Sequence, residues 1–393
     1  MRIACVHALP LEYYPPARNA LAVLARHPGW EVRVWTAENR RALPRWNHAG
    51  VAVERLNYPG TQTPVPLRIA GYLRWHFRTA AALAAWHPAA VVSVEPHSAL
   101  AAWLYYRLFN GTAELFIHHH EYYAPEDYRA RGMRLLRRTH PLERDYLFSR
   151  ARWVSQTNRE RLRLLREWNP KINETAAHVM PNYPPREWIA GAAALNRARD
   201  AANGARSNLL RLVYIGSASF DDTFIREIAE WTAGNPNLAT LHVLSDNMHV
   251  DLRDWLTALG AANVTLNAKH TPYEQLPLVL HAFDVGLVLY RGNTLNFVHN
   301  VPNKAIEYLA CGLEVWYPPA MTGMREFHRS HQAEQLTEVD FAAAADIARA
   351  AGIAVSVRSQ ARKVRTADEF PFTCEEAMAP LVAEMEALDA RGR

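Results

Sequence analysis

Cysteine is scarce in this sequence, and long apolar runs are missing. The three cysteines, Cys5, Cys311 and Cys374, stand far apart without the spacing of a zinc site or a disulfide framework. This usage indicates a reduced, cytoplasmic setting. No apolar run approaches the ~18 residues that can span a bilayer. The first residues lack the apolar core of a signal peptide, so we expect neither a membrane span nor an export signal.

Short-period repeats and low-complexity segments are also absent, and the composition is that of a globular chain. Apolar residues make up 49% and charged residues 21% of the 393 residues, and this length predicts two to three domains that each bury a core. The charge is uneven, because residues 1–190 carry 26 Lys and Arg against 15 Asp and Glu, and the rest carries 18 against 24. We therefore expect the first half to face something negative.

Short β-branched runs alternate with amphipathic stretches of helical length, a pattern typical of doubly wound α/β domains. The sequence predicts an N-terminal domain over 1–182, a proline-containing linker over 183–208, a C-terminal domain over 209–372 and a terminal helix over 373–393. Because ligands of such sheets bind beyond the carboxyl ends of the strands, we expect both domains to present these ends to a cleft between them. The predicted strands lie near 3–7, 31–35, 90–94, 114–118, 153–155, 178–180, 212–215, 240–244, 264–267, 284–290, 314–317 and 353–357.

Residues 300–316 carry more information than any other segment, because they combine helix start and stop signals. Pro302 suits the first turn of a helix, and Asn300 or Asn303 can cap it. Gly312 can end the helix before the strand at 314–317. The sequence therefore predicts a short helix between a loop and a strand.

Lys304 and Glu307 share one face of this helix at its N-terminal end, because they are three residues apart. Free N–H groups and the helix dipole attract anions there, and a lysine strengthens the attraction. A carboxylate one turn on can accept hydrogen bonds from a pair of sugar hydroxyls. Phosphate plus ribose indicates a nucleotide, and the alternative is a capped surface helix with an ordinary Lys–Glu pair.

Gly216 follows the predicted strand at 212–215, where a residue without a side chain lets the backbone approach a ligand. Ser217 beside it can donate to a phosphate. An ordinary strand-to-helix turn explains the same residues, so this motif indicates a phosphate site only in combination with Lys304 and Glu307.

In the first half, polar residues follow two neighbouring predicted strands. His118, His119, His120 and Glu121 end the strand at 114–118, and Glu95, His97 and Ser98 follow the strand at 90–94. Successive histidines on a strand point to opposite faces, so they are poor ligands for one metal ion, and no metal site is expected. We expect His120 and Glu121 to bind a substrate, with a structural pair as the alternative. Glu95 and His97 are candidates to line the same site.

Arginine is concentrated between residues 129 and 166. A solvated helical face is the default explanation of such a run, and nucleic acid is not favoured because no recognised binding motif accompanies it. An anionic membrane surface is a further hypothesis. The arginines concerned are Arg134, Arg137, Arg138, Arg159, Arg161, Arg163 and Arg166.

Residues 264–318 resemble the second domain of the GT-B glycosyltransferases, in particular the retaining family 4 group. The matching segments are 264–267 (VTLN), 273–277 (YEQLP), 283–290 (FDVGLVLY) and 302–312 (PNKAIEYLACG), in the order and spacing of that family. In the first half, His120-Glu121 resembles the His-Glu or His-Asp of the acceptor side, and 179–182 (VMPN) resembles the exit from the first domain.

The resemblance implies a GT-B fold and a sugar transfer from a nucleoside diphosphate to a glycan or lipid-linked acceptor, in bacterial cell-surface polysaccharide biosynthesis. Glu307 would bind the ribose, Lys304 the diphosphate and His120 the transferred sugar, and these three would be the catalytic residues. Configuration would be retained, the donor would be a UDP sugar slightly more readily than a GDP sugar, and neither metal nor cofactor would be needed. The remaining donor-side candidates are Gly216, Ser217, Lys269, Arg291, Asn300 and Asn303, and the remaining acceptor-side candidates are Glu95, His97 and Glu121.

The sequence departs from the family pattern at three places. His299 stands where the family often has a second glutamate, and residues 217–222 lack the usual arginine. Residues 7–16 replace a glycine-rich loop. Lys269 or Arg291 could supply the missing cation, and the departures support an alternative function, a catalytically silent GT-B module that binds a nucleotide sugar or a glycan.

Overall fold

The computed structural model describes residues 1–38, 43–58, 63–130, 132–202, 209–331, 334–358 and 369–391. The chain divides into two units, described here one at a time. The first unit is Met1–Asn182 with Cys374–Arg393, and the second is Tyr183–Thr373. Within the described ranges, no helix combines the length and the apolarity needed to cross a bilayer.

A parallel sheet of seven strands forms the centre of the first unit, in the order β3-β2-β1-β4-β5-β6-β7. Its inner strands are buried on both faces, which explains why they read as continuous apolar runs. The strands are β1 (Arg2–His7), β2 (Glu31–Ala37), β3 (Val51–Leu56), β4 (Ala90–Val94), β5 (Glu114–His119), β6 (Trp153–Gln156) and β7 (Ala177–Val179).

Helices cover both faces of this sheet. On one face α2 and α3 pack together through Trp75, Leu83 and Tyr105, and on the other α1 packs against the C-terminal helix α15 through Leu21 and Met378. The helices of this unit are α1 (Pro15–Ala25), α2 (Val65–Trp86), α3 (Ala99–Leu108), α4 (Arg134–Leu142), α5 (Phe148–Arg150), α6 (Arg159–Trp168) and α15 (Cys374–Arg391), with a π-helical turn at Glu143–Leu147.

Ion pairs tie the C-terminal helix to this unit. Arg26 pairs with Glu375 at 2.7 Å, and His27 contacts Glu386 at 3.1 Å. The end of the chain therefore belongs to the unit that contains its beginning.

The second unit repeats the arrangement with six parallel strands in the order β10-β9-β8-β11-β12-β13. Apolar clusters lie on both faces of the sheet. The strands are β8 (Leu210–Ile215), β9 (Ala239–Leu244), β10 (Val264–Asn267), β11 (Val285–Leu287), β12 (Glu314–Tyr317) and β13 (Leu336–Glu338). The helices are α7 (Arg186–Ala202), α8 (Ile225–Gly234), α9 (Val250–Leu259), α10 (Leu276–Leu280), α11 (Leu295–Val298), α12 (Asn303–Ala310), α13 (Thr322–His331) and α14 (Ala344–Arg358).

One predicted strand is wrong, and two observed strands are missed. Residues 353–357 lie in α14, whose buried positions Ile347, Ala350 and Ala354 recur at helical spacing. Strand β3 is at the sheet edge and β13 has only three residues, so neither carries a long apolar run. The remaining predicted strands are confirmed to within a few residues.

The segment predicted as a linker contributes a helix to the second unit. Helix α7 begins at Arg186, and its Trp188 packs against Tyr273 with ring centroids 4.5 Å apart. Residues 203–208 of the predicted linker lie outside the described residues.

The short helix predicted within 300–316 is confirmed as α12, but its predicted cap is wrong. Pro302 is the N-cap residue, and Asn303 is already the first residue of the helix. Among the residues that the structure describes, no side chain caps this helix. Gly312 has the positive φ of 75° expected where a helix ends before a strand.

Candidate functional site

Both sheets have a point where the strand order reverses, between β1 and β4 in the first unit and between β8 and β11 in the second. The helices that leave these neighbouring strands run to opposite faces, which opens a crevice at the carboxyl ends. In the second unit Gly216 directly follows β8. In the first unit His7 ends β1, and Glu95 directly follows β4.

Gly216 is in contact with the side chain of Lys304. Its φ is +128°, a conformation that favours glycine, and a Cβ placed on it would lie 2.3 Å from Lys304 Cε and 2.9 Å from Nζ. The lysine side chain therefore runs directly over the backbone at the end of β8. The structure brings together two residues that lie 88 positions apart in the sequence.

Glu307 lies one turn after Lys304 and is 7% exposed. Burial raises the pKa of its carboxyl to about 7, while Lys304 and a hydrogen bond with the hydroxyl of Tyr273 oppose the shift. A buried carboxylate held in this way is an acceptor for hydroxyl groups rather than a surface charge. Sequence reasoning quoted Tyr273 only as part of a motif and missed this contact.

Tyr308 fixes α12 against the sheet. Its hydroxyl oxygen accepts a hydrogen bond from the backbone N–H of Ile215 at 3.0 Å. A Cβ on Gly286 in β11 would lie 2.2 Å from the tyrosine ring, so the ring packs directly on that strand. These contacts set the position of Lys304 and Glu307 relative to the end of β8. We call Gly216, Tyr273, Lys304 and Glu307 the β8 cluster.

The other predicted donor-side residues differ in their burial and in their position relative to this cluster. Ser217 is exposed, and its carbonyl oxygen accepts a hydrogen bond from Tyr214 at 2.5 Å. Asn300 and Asn303 are half-buried on either side of Pro302. Lys269 is exposed beyond β10, which is two strands away from β8.

Arg291 does not contact the β8 cluster. Its guanidinium pairs with Glu227 of α8 at 2.5 Å, donates to the carbonyl of Phe220 and lies 4.4 Å from the ring centre of Phe224. These contacts hold Arg291 against α8, and Lys304 is the cation that contacts Gly216.

In the first unit, His118 and His120 point to one side of β5. His120 Nδ1 lies 2.8 Å from Asn182 Oδ1 and 3.0 Å from His118 Nε2, and His118 in turn contacts Ser155. Burial lowers the pKa of His120 to about 4, so the ring is neutral. Within the described chain, its buried Nε2 has no hydrogen-bond partner.

Glu95 holds the loop that carries His120. One carboxylate oxygen accepts hydrogen bonds from the backbone N–H groups of His120 at 2.6 Å and Glu121 at 3.2 Å. Its own φ of +62° is rare for a residue with a side chain. Burial raises the pKa of Glu95 to about 7. We call Glu95, His97, His118, His120 and Glu121 the β5 cluster.

His97 and Glu121 are the half-buried members of the β5 cluster. The pKa of His97 is lowered to about 4, with burial as the largest cause. The ring lies in edge contact with Tyr123, at 6.2 Å between centres.

His119 points away from His118 and His120, as the alternation along a strand requires. Its Nε2 lies 2.9 Å from Glu143, and both side chains are buried. Among the residues that the structure describes, no group of three or more His, Cys, Asp or Glu is arranged to hold a metal ion.

The arginine-rich stretch is not a single solvated face. Arg161 is 1% exposed and donates to the carbonyl of His120 at 3.0 Å, so it supports the β5 cluster. Arg163 pairs with Glu160 and Glu167 along α6. The three arginines of α4, Arg134, Arg137 and Arg138, are exposed. Sequence reasoning missed the role of Arg161, because burial of an arginine has no local signature.

No protein-family model matches the sequence, and no curated protein sequence matches it. Among solved structures, the chain is similar to sucrose-phosphate synthase from Thermosynechococcus elongatus, with a TM-score of 0.73, 15% identity and all of both chains covered. It is also similar to α,α-trehalose 6-phosphate synthase from Burkholderia multivorans, with a TM-score of 0.65, 13% identity and all of both chains covered. Anabaena HepE in complex with UDP-glucose gives a TM-score of 0.66 and 12% identity, with 98% of this chain and 100% of that chain covered.

Similarity at these identities, over the whole length of the chain, establishes the fold. Two doubly wound parallel sheets with helices on both faces match the architecture of these glycosyltransferases. The chain therefore has the α/β GT-B fold, as the resemblance of residues 264–318 implied.

Proposed function

We propose that this protein is a glycosyltransferase that uses a nucleoside-diphosphate sugar. The observation that carries the proposal is the β8 cluster, in which Lys304 lies over Gly216 one turn before the buried Glu307. A cation at a strand end, beside backbone without a side chain, suits a diphosphate. A buried carboxylate suits the ribose hydroxyls.

The donor in this proposal carries UDP, in preference to GDP. The similar HepE structure was solved with UDP-glucose, which supports a uridine nucleotide here. Lys304 stabilises the charge that develops on the departing diphosphate, and no metal ion or other cofactor is required. Glu307 holds the nucleotide through its ribose.

In the transfer step the acceptor hydroxyl oxygen forms a bond to the anomeric carbon of the sugar. The bond between that carbon and the diphosphate oxygen breaks, and the acceptor proton passes to the leaving phosphate. Attack and departure on the same face retain the configuration.

The β5 cluster serves the acceptor side in this proposal. His120 presents a neutral ring with an unpartnered buried Nε2 among the described residues, which can hydrogen-bond a sugar hydroxyl. The acceptor is a glycan or a lipid-linked glycan of bacterial cell-surface polysaccharide synthesis. The protein acts in the cytoplasm, at the inner face of the membrane, and nucleic acid is not a partner.

Thermal unfolding with a panel of nucleotides tests the donor site. A ligand at a hundredfold excess over its Kd stabilises the folded state by about 2.7 kcal/mol, which raises Tm by several degrees at roughly 2 to 4 °C per kcal/mol. We expect UDP to give the largest shift among UDP, GDP, ADP, CMP and dTDP. Lys304→Ala and Glu307→Ala should remove most of it, and Lys171→Ala in the first unit should not.

Turnover distinguishes an enzyme from a binding module. Lys304→Ala should lower the rate of donor hydrolysis or sugar transfer by at least about a hundredfold, the scale of losing one charge-stabilising donor. Activity should survive EDTA. If nucleotides bind but the wild type neither hydrolyses nor transfers any sugar, the protein is a silent module. If only a glycan shifts Tm, the donor site itself is wrongly assigned.

A further inference from the structure

Helix α2 exposes an unusual combination of large apolar and basic side chains. Leu67, Leu73 and Phe77 are 64%, 52% and 49% exposed, and Arg74 and Arg78 lie exposed among them. We call these five residues the α2 face. Several large apolar side chains exposed to solvent on one helix indicate a surface that binds a partner.

The exposed position of these residues follows from how α2 packs. Tyr72, Trp75 and Leu83 are buried at helical spacing in the first unit, so the opposite side of the helix faces solvent. Helix α3 extends the same apolar character, because Leu108 is 56% exposed and the neighbouring Phe109 lies 5.6 Å from Phe77 between ring centres.

The charges of the α2 face have one sign. Helix α2 contains three arginines and no acidic residue. Within the described parts of the chain, neither Arg74 nor Arg78 takes part in a hydrogen bond or an ion pair. Two uncompensated cations beside exposed leucine and phenylalanine match an interface that is anionic at its surface and apolar beneath it.

Helix α4 adds further uncompensated cations beside α2. Burial raises the pKa of Tyr72 of α2, and the nearby Thr139 of α4 opposes the rise. Both helices also pack on α3. The exposed Arg134, Arg137 and Arg138 also take part in no ion pair among the described residues. The basic character therefore continues from α2 onto its neighbour.

We propose that the α2 face docks on an anionic lipid bilayer, with Leu67, Leu73 and Phe77 in the interfacial layer and the arginines at the lipid phosphates. Helices that lie in the membrane plane have this division of apolar and basic side chains. Basic residues are attracted to the negative surface of anionic lipids. This inference deepens the membrane part of the proposed function, and its test needs neither donor nor acceptor.

A fluorescent label reports insertion directly. The native Cys5, Cys311 and Cys374 are buried, so a cysteine introduced by Leu73→Cys is the accessible position for an environment-sensitive fluorophore. Vesicles that contain phosphatidylglycerol should shift its emission to the blue, and vesicles of phosphatidylcholine alone should not. The matched control is Leu278→Cys in the second unit, 58% exposed in the wild type, whose emission should stay unchanged.

Charge reversal tests the arginines of the α2 face. Arg74→Glu with Arg78→Glu should weaken binding to the anionic vesicles by at least about tenfold, given roughly 1 kcal/mol for each basic residue at the surface. Arg159→Glu with Arg253→Glu changes the net charge equally at other exposed arginines and should have little effect. Salt at about 1 M should weaken the wild type, because the Debye length falls to about 3 Å.

Two results would overturn the proposal. One is an unchanged emission of the Leu73→Cys label on anionic vesicles that bind the protein, because docking would then use another surface. The other is a blue shift that grows with protein concentration in the absence of vesicles, together with a dimer in light scattering. A second copy of the chain would then cover the α2 face. Neither result would affect the nucleotide-binding test.

Discussion

The Lys304 side chain lies against a backbone position whose conformation favours glycine. Gly216 combines a φ of +128° with a neighbour 2.3 Å from any added Cβ. A side chain at position 216 would strain the backbone and would also clash with Lys304. The observed placement of Lys304 therefore depends on glycine at position 216.

We predict that Gly216→Ala abolishes the Tm shift produced by UDP, because the new methyl group displaces Lys304 from the end of β8. The control is Gly260→Ala, which also has a positive φ of 59° but whose added Cβ meets its nearest atom at 3.7 Å. It should cost stability through backbone strain and keep the UDP shift. An intact shift in Gly216→Ala would contradict the assignment of this backbone to the phosphates.

His120 shows what residue-level reasoning can and cannot reach. Its place at the end of a predicted strand makes it a candidate, because ligands of α/β sheets bind beyond the carboxyl ends of the strands. Its partners were not predictable in the same way. Asn182 and Arg161 lie 62 and 41 positions further along the chain. Only folding brings Asn182 to the ring of His120 and Arg161 to its backbone carbonyl.

At the level of elements, α12 is positioned by one tyrosine. Tyr308 bonds the last residue of β8 and packs on Gly286 of β11, so it connects the helix of Lys304 and Glu307 to both strands at the reversal point. The sequence motif predicted the helix, and this contact decides where the face that carries Lys304 and Glu307 lies.

We predict that Tyr308→Phe lowers stability by about 1 to 3 kcal/mol, because the N–H of Ile215 loses a buried partner. It should also weaken UDP binding, as α12 is no longer tied to β8. Tyr317→Phe is the matched control, since its hydroxyl bonds His328 away from α12. That variant should lose stability and keep its affinity for UDP, and equal losses of affinity in both variants would refute a specific role for Tyr308.

At the level of the whole molecule, several buried histidines make stability depend on pH. Burial lowers the pKa of His7 and His76 to about 3, and that of His97 and His120 to about 4. The unfolded chain binds protons at these groups below their ordinary pKa, whereas the folded chain does not. The free energy of unfolding therefore decreases as pH falls from 6.5 towards these values, because protonation favours the unfolded chain.

His76 is the clearest of these groups, because it is fully buried in α2 and neither ring nitrogen has a hydrogen-bond partner among the described residues. We predict that His76→Phe raises Tm relative to the wild type more at about pH 5 than at about pH 8, by an amount equivalent to about 2 kcal/mol. Comparing variant and wild type cancels Glu95 and Glu307, whose raised pKa values act in the opposite direction. Equal Tm differences for His76→Phe at both pH values would exclude this linkage.

The alternation of apolar strands and amphipathic helices was sufficient to predict two α/β units and most of their strands, because periodicity is local and survives in a single sequence. The reliance on local pattern also explains why the strand predicted at 353–357 is wrong. A β-branched run lies there in a helix that packs through its alanines. The 302–312 motif likewise predicts that Lys304 and Glu307 lie one turn apart on a helix, and α12 confirms this placement, since spacing on a helix is fixed by the helix itself.

Only the tertiary structure decided which of the candidate charges are available. Arg161 is buried under the β5 cluster and Arg291 is paired with α8, whereas Arg74 and Arg78 stay exposed on α2. Neither composition nor the local sequence pattern distinguishes these three cases. They differ in the partners that distant segments supply, and the sequence alone does not specify those partners because burial and pairing arise from contacts across the folded chain.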